Sequence, residues 1–429
     1  MDRKNKMKRA ELLLPAGNTE KMQYAIAYGA DAVYLGTADF SLRSPKTGNI
    51  ITNENIKNSI EIAHSMGAKA YVTLNVFPNN EIIEKLPPLM ELLADANPDG
   101  IIFADPAFYS FTKRYLPNVP IHISTQANVL NYESAKFWQD LGAKRIILAR
   151  ELSLKEIEQI AAKVPDIELE ALVHGSMCVA YSGRCLLSDY MTNNTRKSNQ
   201  GACAQPCRWT YKLIESKRPD DEYEITEDQH GTYILNPKDL SLIEYIPDLI
   251  NAGVSSFKIE GRTKSMYYAA LVAKTYKKAL NAFYDGNSIN IEEFYEELFN
   301  IGNRGLTTGF LLERPDSSHY DYKASKSTLK SVFQAIILEK VENNIFKIKA
   351  KNQLKSGEIV DFITPTSCIS TEILEIINKF EEKVEVTNTN DEVCIKLNIE
   401  NSPEDWKWGI IRQKEQKNNA IKTETHVYS

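Results

Sequence analysis

The sequence predicts an α/β chain: a (β/α)8 barrel of the TIM type, with a Cys-bearing insertion after the seventh strand and a small C-terminal β-barrel domain. Three observations carry this. Short apolar or β-branched runs alternate with longer amphipathic stretches from residue 12 onward, the pattern of parallel βα units. Eight such runs fit between residues 12 and 262, the number a closed barrel needs. From Ser331 the texture changes to short alternating strands separated by Asn, Gly and Ser turns.

The expected barrel strands are LLLPA (12–16), AVYLG (32–36), AYVTLN (70–75), GIIFAD (100–105), PIHIST (120–125), RIILAR (145–150), LEALVHG (169–175) and SFKIEGR (256–262). Helical patterns lie between them at 18–28, 53–66, 80–94, 131–141 and 153–163, and Gly29, Gly67 and Gly142 suit left-handed caps. The competing open doubly wound sheet is disfavoured because LPAGN at 14–18 is not the Gly-rich phosphate loop that such a sheet carries after its first strand. Between the seventh and eighth strands only 240–252 reads as the expected helix, so 176–238 is an insertion. A Tyr- and Ala-rich helix over 263–285 and the segment NRGLTTGF (303–310) complete a barrel domain assigned to 1–330. The β domain takes 331–415, and 416–429 is a polar tail.

With 43% hydrophobic and 25% charged residues among 429, the composition is that of a globular protein. A formal charge of -6 argues against whole-surface nucleic-acid binding and leaves room for a local basic patch. No run approaches the roughly 18 apolar residues that span a bilayer. Behind the basic Met1–Arg9 the only apolar run is 12–16, too short for a signal-peptide core. A cytoplasmic chain with no membrane partner is expected.

Four of the six Cys fall inside the insertion, spaced Cys178-x6-Cys185-x17-Cys203-x3-Cys207. Four thiolates complete either a tetrahedral zinc site or a four-iron cluster, and this spacing does not separate the two. The bland alternative is four reduced Cys serving as small core hydrophobes, the role expected for Cys368 and Cys394 in apolar strands of the β domain. The insertion follows LEALVHG directly, so it projects from the C-terminal face of the barrel, where active sites of this architecture sit. From Cys178 to Arg218, seven basic residues oppose Asp189 and Glu215, with Tyr181, Tyr190, Trp209 and Tyr211 interleaved. Basic side chains attract phosphates and aromatic faces stack unpaired bases, making Arg196, Lys197, Arg208 and Trp209 candidate RNA contacts; ordinary charge scatter on a solvated loop is the alternative.

Predicted strand ends at the same mouth carry Asn75, Asp105, Gln126, Asn128, Arg150, Glu151, His174, Glu260 and Arg262. Polar residues there read as substrate-binding or catalytic. Two guanidiniums, Arg150 and Arg262, suit a small dicarboxylate or a phosphate through bidentate bonds, unless Glu151 and Glu260 consume them in salt bridges. His174 and Glu260 are the candidate catalytic side chains, with a backbone-satisfied core histidine as the competing reading of His174. Gln126 and Asn128 are candidate substrate contacts.

EALVHGSMCVAYSGRCLLS (170–188) resembles the signature of the collagenase-like peptidase family U-32, with Leu172 where an aromatic is more usual. LLLPAGN with GADAVYLG, STQANVLN (124–131), ILAREL (147–152), NQGACAQPCRWTY (199–211), SFKIEGRTKS (256–265), NRGLTTGF and the closing β domain follow the same family. The peptidase label finds no support in a nucleophile elbow, an HExxH motif or a zinc-ligand His pair. AYSGRC followed by GACxQPCRW is similar to the tRNA-hydroxylating branch of the family. That resemblance implies oxygen insertion at carbon 5 of the wobble uridine of tRNA to give 5-hydroxyuridine, with prephenate as co-substrate. It also implies an iron-sulfur cluster (4Fe-4S) on Cys178, Cys185, Cys203 and Cys207. The implied partners are tRNA and the small organic acid prephenate, with a paralogous subunit as a further candidate. The rival readings are a peptidase whose Cys hold a structural zinc and a non-catalytic RNA-binding module.

Overall fold

The structure, a computed structural model, describes residues 8–37, 39–42, 50–178, 180–193, 195–209, 226–228, 231–233, 237–288, 290–314 and 330–414. The chain divides into two compact units: Met1–Leu298 with Asn303–Thr328, and Phe299–Gly302 with Leu329–Ser429. The polar tail expected over 416–429 lies outside the described residues.

The first unit is a closed barrel of eight parallel strands. They are β1 Glu11–Pro15, β2 Ala32–Leu35, β3 Lys69–Leu74, β4 Gly100–Phe103, β5 Ile121–Ile123, β6 Ala143–Ile147, β7 Glu168–Ser176 and β8 Val254–Ile259. Each pairs with its sequence neighbour, and β8 closes the ring by pairing with β1 (Ser256 opposite Glu11) and β7 (Ser256 opposite Glu170). The connecting helices start where the sequence offers a side-chain acceptor: Asn18, Asp105, Asn131 and Ser265 each accept a first-turn backbone N–H, and Ser153 forms a capping box with Glu156. Among the described residues no helix is long and apolar enough to cross a membrane.

Two of the expected helices are corrected. The helix expected over 240–252 spans only Ile246–Asn251, because Asp239–Ser241 pairs as a short antiparallel strand with the end of β7, Ser241 opposite His174. Leu306–Thr307 of the NRGLTTGF segment in turn pairs with that strand. The helix expected over 80–94 is two, Asn80–Glu84 and Leu86–Ala96, the second carrying Pro in its first turn.

The barrel interior is not the usual aliphatic filling. Arg145 of β6 binds Glu11 at 2.6 Å, Glu168 at 2.9 Å and Glu170 at 3.0 Å, while Lys258 of β8 binds Glu170 at 3.0 Å. Glu170 is fully buried, and the two cations hold its carboxyl below the ordinary range against the upward push of burial. Removing one member of such a network leaves an uncompensated buried charge, a loss of about 3–5 kcal/mol.

The second unit is a six-stranded antiparallel closed barrel: β9 Ser331–Lys340, β10 Ile345–Ala350, β11 Ile359–Ile363, β12 Cys368–Ile377, β13 Glu392–Leu397 and β14 Ile410–Lys414, in the order β9-β10-β13-β12-β11-β14. Phe346, Ile348, Phe362, Ile395 and Ile411 fill it, and buried Arg412 pairs with Asp361 at 3.0 Å. Cys368 and Cys394 are not core: Cys368 is exposed, and Cys394 is only half-buried because its neighbours Val393 and Ile395 take the inward positions of β13.

Candidate functional site

A cavity of about 50 Å³ lies at the C-terminal mouth of the first barrel, lined by Tyr34, Thr73, Asn75, Gln126, Arg150, Leu172, Lys258, Glu260 and Arg262 among others. Five residues expected at the mouth, Asn75, Gln126, Arg150, Glu260 and Arg262, thus line one space. Tyr34, Thr73 and Lys258 were not expected; Thr73 and Lys258 lie two residues before Asn75 and Glu260, and that spacing is the signal which would have found them.

Arg262 is 3% exposed. Its Nη2 donates to the Gly36 carbonyl at 2.6 Å, and its Nη1 donates to the Leu42 carbonyl at 3.1 Å, to Thr73 Oγ1 at 3.4 Å and to Ser41 Oγ. Among the described residues Nε has no partner, and Nη2, with two protons, has a single acceptor. No carboxylate of the described residues touches the guanidinium; burial lowers its pKa, while Tyr34 and Glu260 act the other way at longer range. A buried cation with idle donors facing a cavity is suited to an anionic or carbonyl ligand. The expected competitor for it, Glu260, faces Arg150 instead, at 3.9 Å.

His174 lies outside the lining. Register shifts by one between Lys258 and Ile259, which pair with Leu172 and His174, so the alternation that keeps Glu170 and Leu172 inward breaks and His174 meets the helix Met266–Asp285. Its ring packs against Tyr268 and Tyr276, with Tyr276 Oη 3.4 Å from Nδ1. Burial pushes its pKa down to about 3, so it is neutral. Its placement is that of a core histidine. Asp105 is a helix cap, donated to by Ala107 N–H at 2.9 Å. Asn128, at φ 55, ends the short turn Thr125–Ala127 with its Oδ1 buried and without a partner among the described residues.

The insertion crosses this mouth and is fastened on two sides. At the β5 and β6 side, Glu151 accepts the Ser182 N–H at 2.8 Å, and Gly183, at φ +74, lies so close that a Cβ would stand 2.4 Å from the Gln126 carbonyl oxygen. Only Gly fits there. At the β2 and β3 side, Phe77 N–H donates to the Asn199 carbonyl at 3.0 Å, and a Cβ on Gly201 would stand 3.0 Å from the Ser41 carbonyl. Ser41 is also held by Arg262, so the cavity and the seat of the Cys203 turn share one residue.

The four thiols sense one another. Burial pushes the Cys185 thiol up, the Leu187 and Ser188 N–H groups oppose it, and Cys178 and Cys203 add to the rise. Burial likewise raises Cys207, Arg208 opposes, and Cys178, Cys203 and Cys185 add to it. Gln205 N–H donates to Cys203 Sγ at 3.3 Å. Among the described residues no group of three or more His, Cys, Asp and Glu side chains forms a ready site for a metal ion. As a donor set, four thiols in one insertion suit a cationic cluster once the metal displaces their protons, and the N–H groups on the Cys185 and Cys203 sulfurs favour the thiolate form.

The basic residues divide. Arg196 donates to the Ala202 and Cys203 carbonyls, both at 3.2 Å, and Arg208 to the Met177 carbonyl at 3.2 Å, so both guanidiniums brace the Cys turns. Lys197 and Trp209 are exposed. Tyr211, Lys212, Lys217 and Arg218 lie outside the described residues.

Residues 17–321 match Peptidase family U32 and residues 330–406 match the Peptidase family U32 C-terminal domain. The chain is similar to "tRNA hydroxylation protein P" of Haemophilus influenzae, 37% identical over 87% of this chain and 90% of that one. It is similar to "tRNA hydroxylation protein P1" of Bacillus subtilis, 40% identical over 86% and 87%. It is also similar to "Collagenase" of Porphyromonas gingivalis, 33% identical over 70% and 73%. The chain belongs to Peptidase family U32.

Proposed function

We propose that this chain is a tRNA-hydroxylating enzyme that forms 5-hydroxyuridine at the wobble position, with prephenate as co-substrate and an iron-sulfur cluster on Cys178, Cys185, Cys203 and Cys207. The observation that carries the reading is the four-thiol insertion fastened across a cavity in which Arg262 keeps idle donors. The names borne by the relatives from Haemophilus influenzae and Bacillus subtilis support the tRNA substrate.

In this reading Arg262 Nε and the second Nη2 proton bind one carboxylate of the organic acid, and Lys258, in the same wall, stays paired with Glu170. Arg150 is divided between Glu260 and the ligand. Glu260 is the one acid in the lining and the group able to hold a proton at the mouth. A bound cluster supplies one-electron redox chemistry. As it stands the cavity has room for a water or two and for neither the organic acid nor a pyrimidine ring, so both the acid and the uridine, once unstacked, enter only when the Ser182–Gly183 turn lifts. Lys197 and Trp209, exposed on the insertion, are available to the RNA, and Arg196 and Arg208 act through the loop they brace.

The test is incubation of anaerobically purified protein with an unmodified tRNA transcript, with and without prephenate, followed by nucleoside mass spectrometry. Hydroxylated uridine that depends on prephenate is expected; hydrolysis of gelatin with no change in tRNA would support the peptidase instead.

A further inference from the structure

The outer face of the insertion exposes more apolar surface than a solvated loop needs. Tyr190 is 80% exposed, Leu186 71% and Tyr181 58%, in a span of ten residues where a soluble chain gains nothing by displaying aromatic rings. Leu186 and Tyr190 stand one helical turn apart, Tyr190 N–H donating to the Leu186 carbonyl at 3.0 Å, and Tyr181 is joined to exposed Arg184 through a turn in which Arg184 N–H donates to its carbonyl at 3.0 Å. Arg184 and Lys197 are the exposed cations here that brace no loop, and the acid of the segment, Asp189, is half-buried and accepts from Ser198 Oγ at 3.0 Å. Exposed rings and cations without an exposed acid among the described residues of 178–209 match a polyanion with accessible flat faces.

We infer that Tyr181 and Tyr190, flanked by Arg184 and Lys197, form a stacking platform for the unpaired bases of an RNA loop, which orients the loop so that one base points at the barrel mouth. This rests on the tRNA reading and assigns to it residues that the mouth does not contain. The turn that bears Tyr181 also bears Gly183 and Ser182, the two residues that fasten the insertion to Gln126 and Glu151, so a base stacked on Tyr181 pulls on the fastening. Stacking needs a ring and no hydrogen-bond code.

The experiment measures binding of an anticodon stem-loop RNA and of a fully paired RNA of equal charge to the cluster-loaded protein and to its Tyr181→Ala, Tyr190→Ala, Tyr190→Trp and Arg184→Gln variants. Each Tyr→Ala change is expected to raise the Kd for the stem-loop about five- to a hundredfold. Tyr190→Trp should bind as the parent does, and the paired RNA should be bound weakly and equally by the parent and the Tyr variants. Arg184→Gln should lower the salt slope by somewhat under one unit. Iron content and Tm reveal any variant that fails to fold, and the Trp variant keeps the test open if an Ala variant does. If the parent binds the stem-loop and modifies tRNA while the Tyr→Ala variants bind it unchanged, the platform is wrong and the tRNA reading stands. If the Tyr→Ala variants instead dissociate a protein complex in gel filtration and keep their RNA affinity, the face is a protein interface and the inference is overturned. If the parent neither binds nor modifies tRNA, the tRNA reading itself has failed.

Discussion

Replacing Gly183 by Ala tests whether the insertion must be seated on the barrel mouth. The residue stands at φ +74, where an Ala costs about 1–2 kcal/mol. The added methyl would begin 2.4 Å from the Gln126 carbonyl oxygen, and relief requires a retreat of about 1 Å to ordinary contact. The Ser182 N–H to Glu151 bond, 2.8 Å long, cannot survive that shift. Losing a hydrogen bond to a charged group costs about 1.5–3 kcal/mol more, so the fastening loosens by about 2.5–5 kcal/mol in all. The assay is alkylation of Cys185 in the iron-free protein, followed by mass spectrometry. A rate increase of about tenfold or more is expected, since each 1.4 kcal/mol is a factor of ten in the open population, with the barrel's Tm little changed. Gly67→Ala is the control: φ is +80 but no atom lies within 4 Å of its Cβ, so it bears the backbone cost without a clash and leaves Cys185 as it was. Unchanged Cys185 reactivity in Gly183→Ala, or an equal rise in Gly67→Ala, would refute the seating argument.

Changing any one of Cys178, Cys185, Cys203 or Cys207 to Ala should strip iron and tRNA modification together, while Cys368→Ala and Cys394→Ala should keep both; iron analysis beside nucleoside analysis decides. Arg262→Lys removes the Nε donor and the planar fork, so the prephenate concentration needed should rise about ten- to a hundredfold with iron retained; a fall in Tm with an unaltered prephenate requirement would make Arg262 structural only. His122 and His174 both have pKa values pushed down to about 3 by burial. The unfolded chain, with histidines near 6.5, therefore takes up protons first, and stability falls as pH drops from about 6.5 toward 3, by up to about 1.4 kcal/mol per pH unit for each. Denaturant midpoints between pH 7 and 5 should show this slope, and His122→Gln should reduce it.

The fold was legible because each barrel strand is marked twice, by its apolar run and by the capped helix behind it, as in RIILAR followed by the Ser153–Glu156 box. Position along those strands was legible too, which is why Asn75, Gln126, Arg150, Glu260 and Arg262 were found together at the mouth. Of the two readings of His174 the structure places it as a core histidine, for a physical reason: period-two alternation assigns it inward with Leu172, and one shift of register against β8 turns it out. The charged barrel interior has no sequence signal because Arg145, Glu170 and Lys258 look like ordinary surface charges until β6, β7 and β8 pair and the closing ring adds Glu11 of β1. Arg196 and Arg208 show the limit of reading charge from sequence, since each guanidinium is turned to a loop carbonyl by a contact that no spacing reveals. The Ser182–Glu151 and Gly183–Gln126 fastening joins residues 31 or more positions apart and has no local signature.

The central claim is that the four-thiol insertion over the barrel mouth hydroxylates tRNA. The measurement that tests it most directly is nucleoside mass spectrometry of total tRNA from a strain lacking the protein, complemented with the parent chain or with Cys203→Ala. 5-Hydroxyuridine and its derivatives should fall in the deletion strain, return with the parent chain and stay low with Cys203→Ala. Unchanged wobble uridine modification in the deletion strain, with no related chain present to supply it, or full restoration by Cys203→Ala, would contradict the claim.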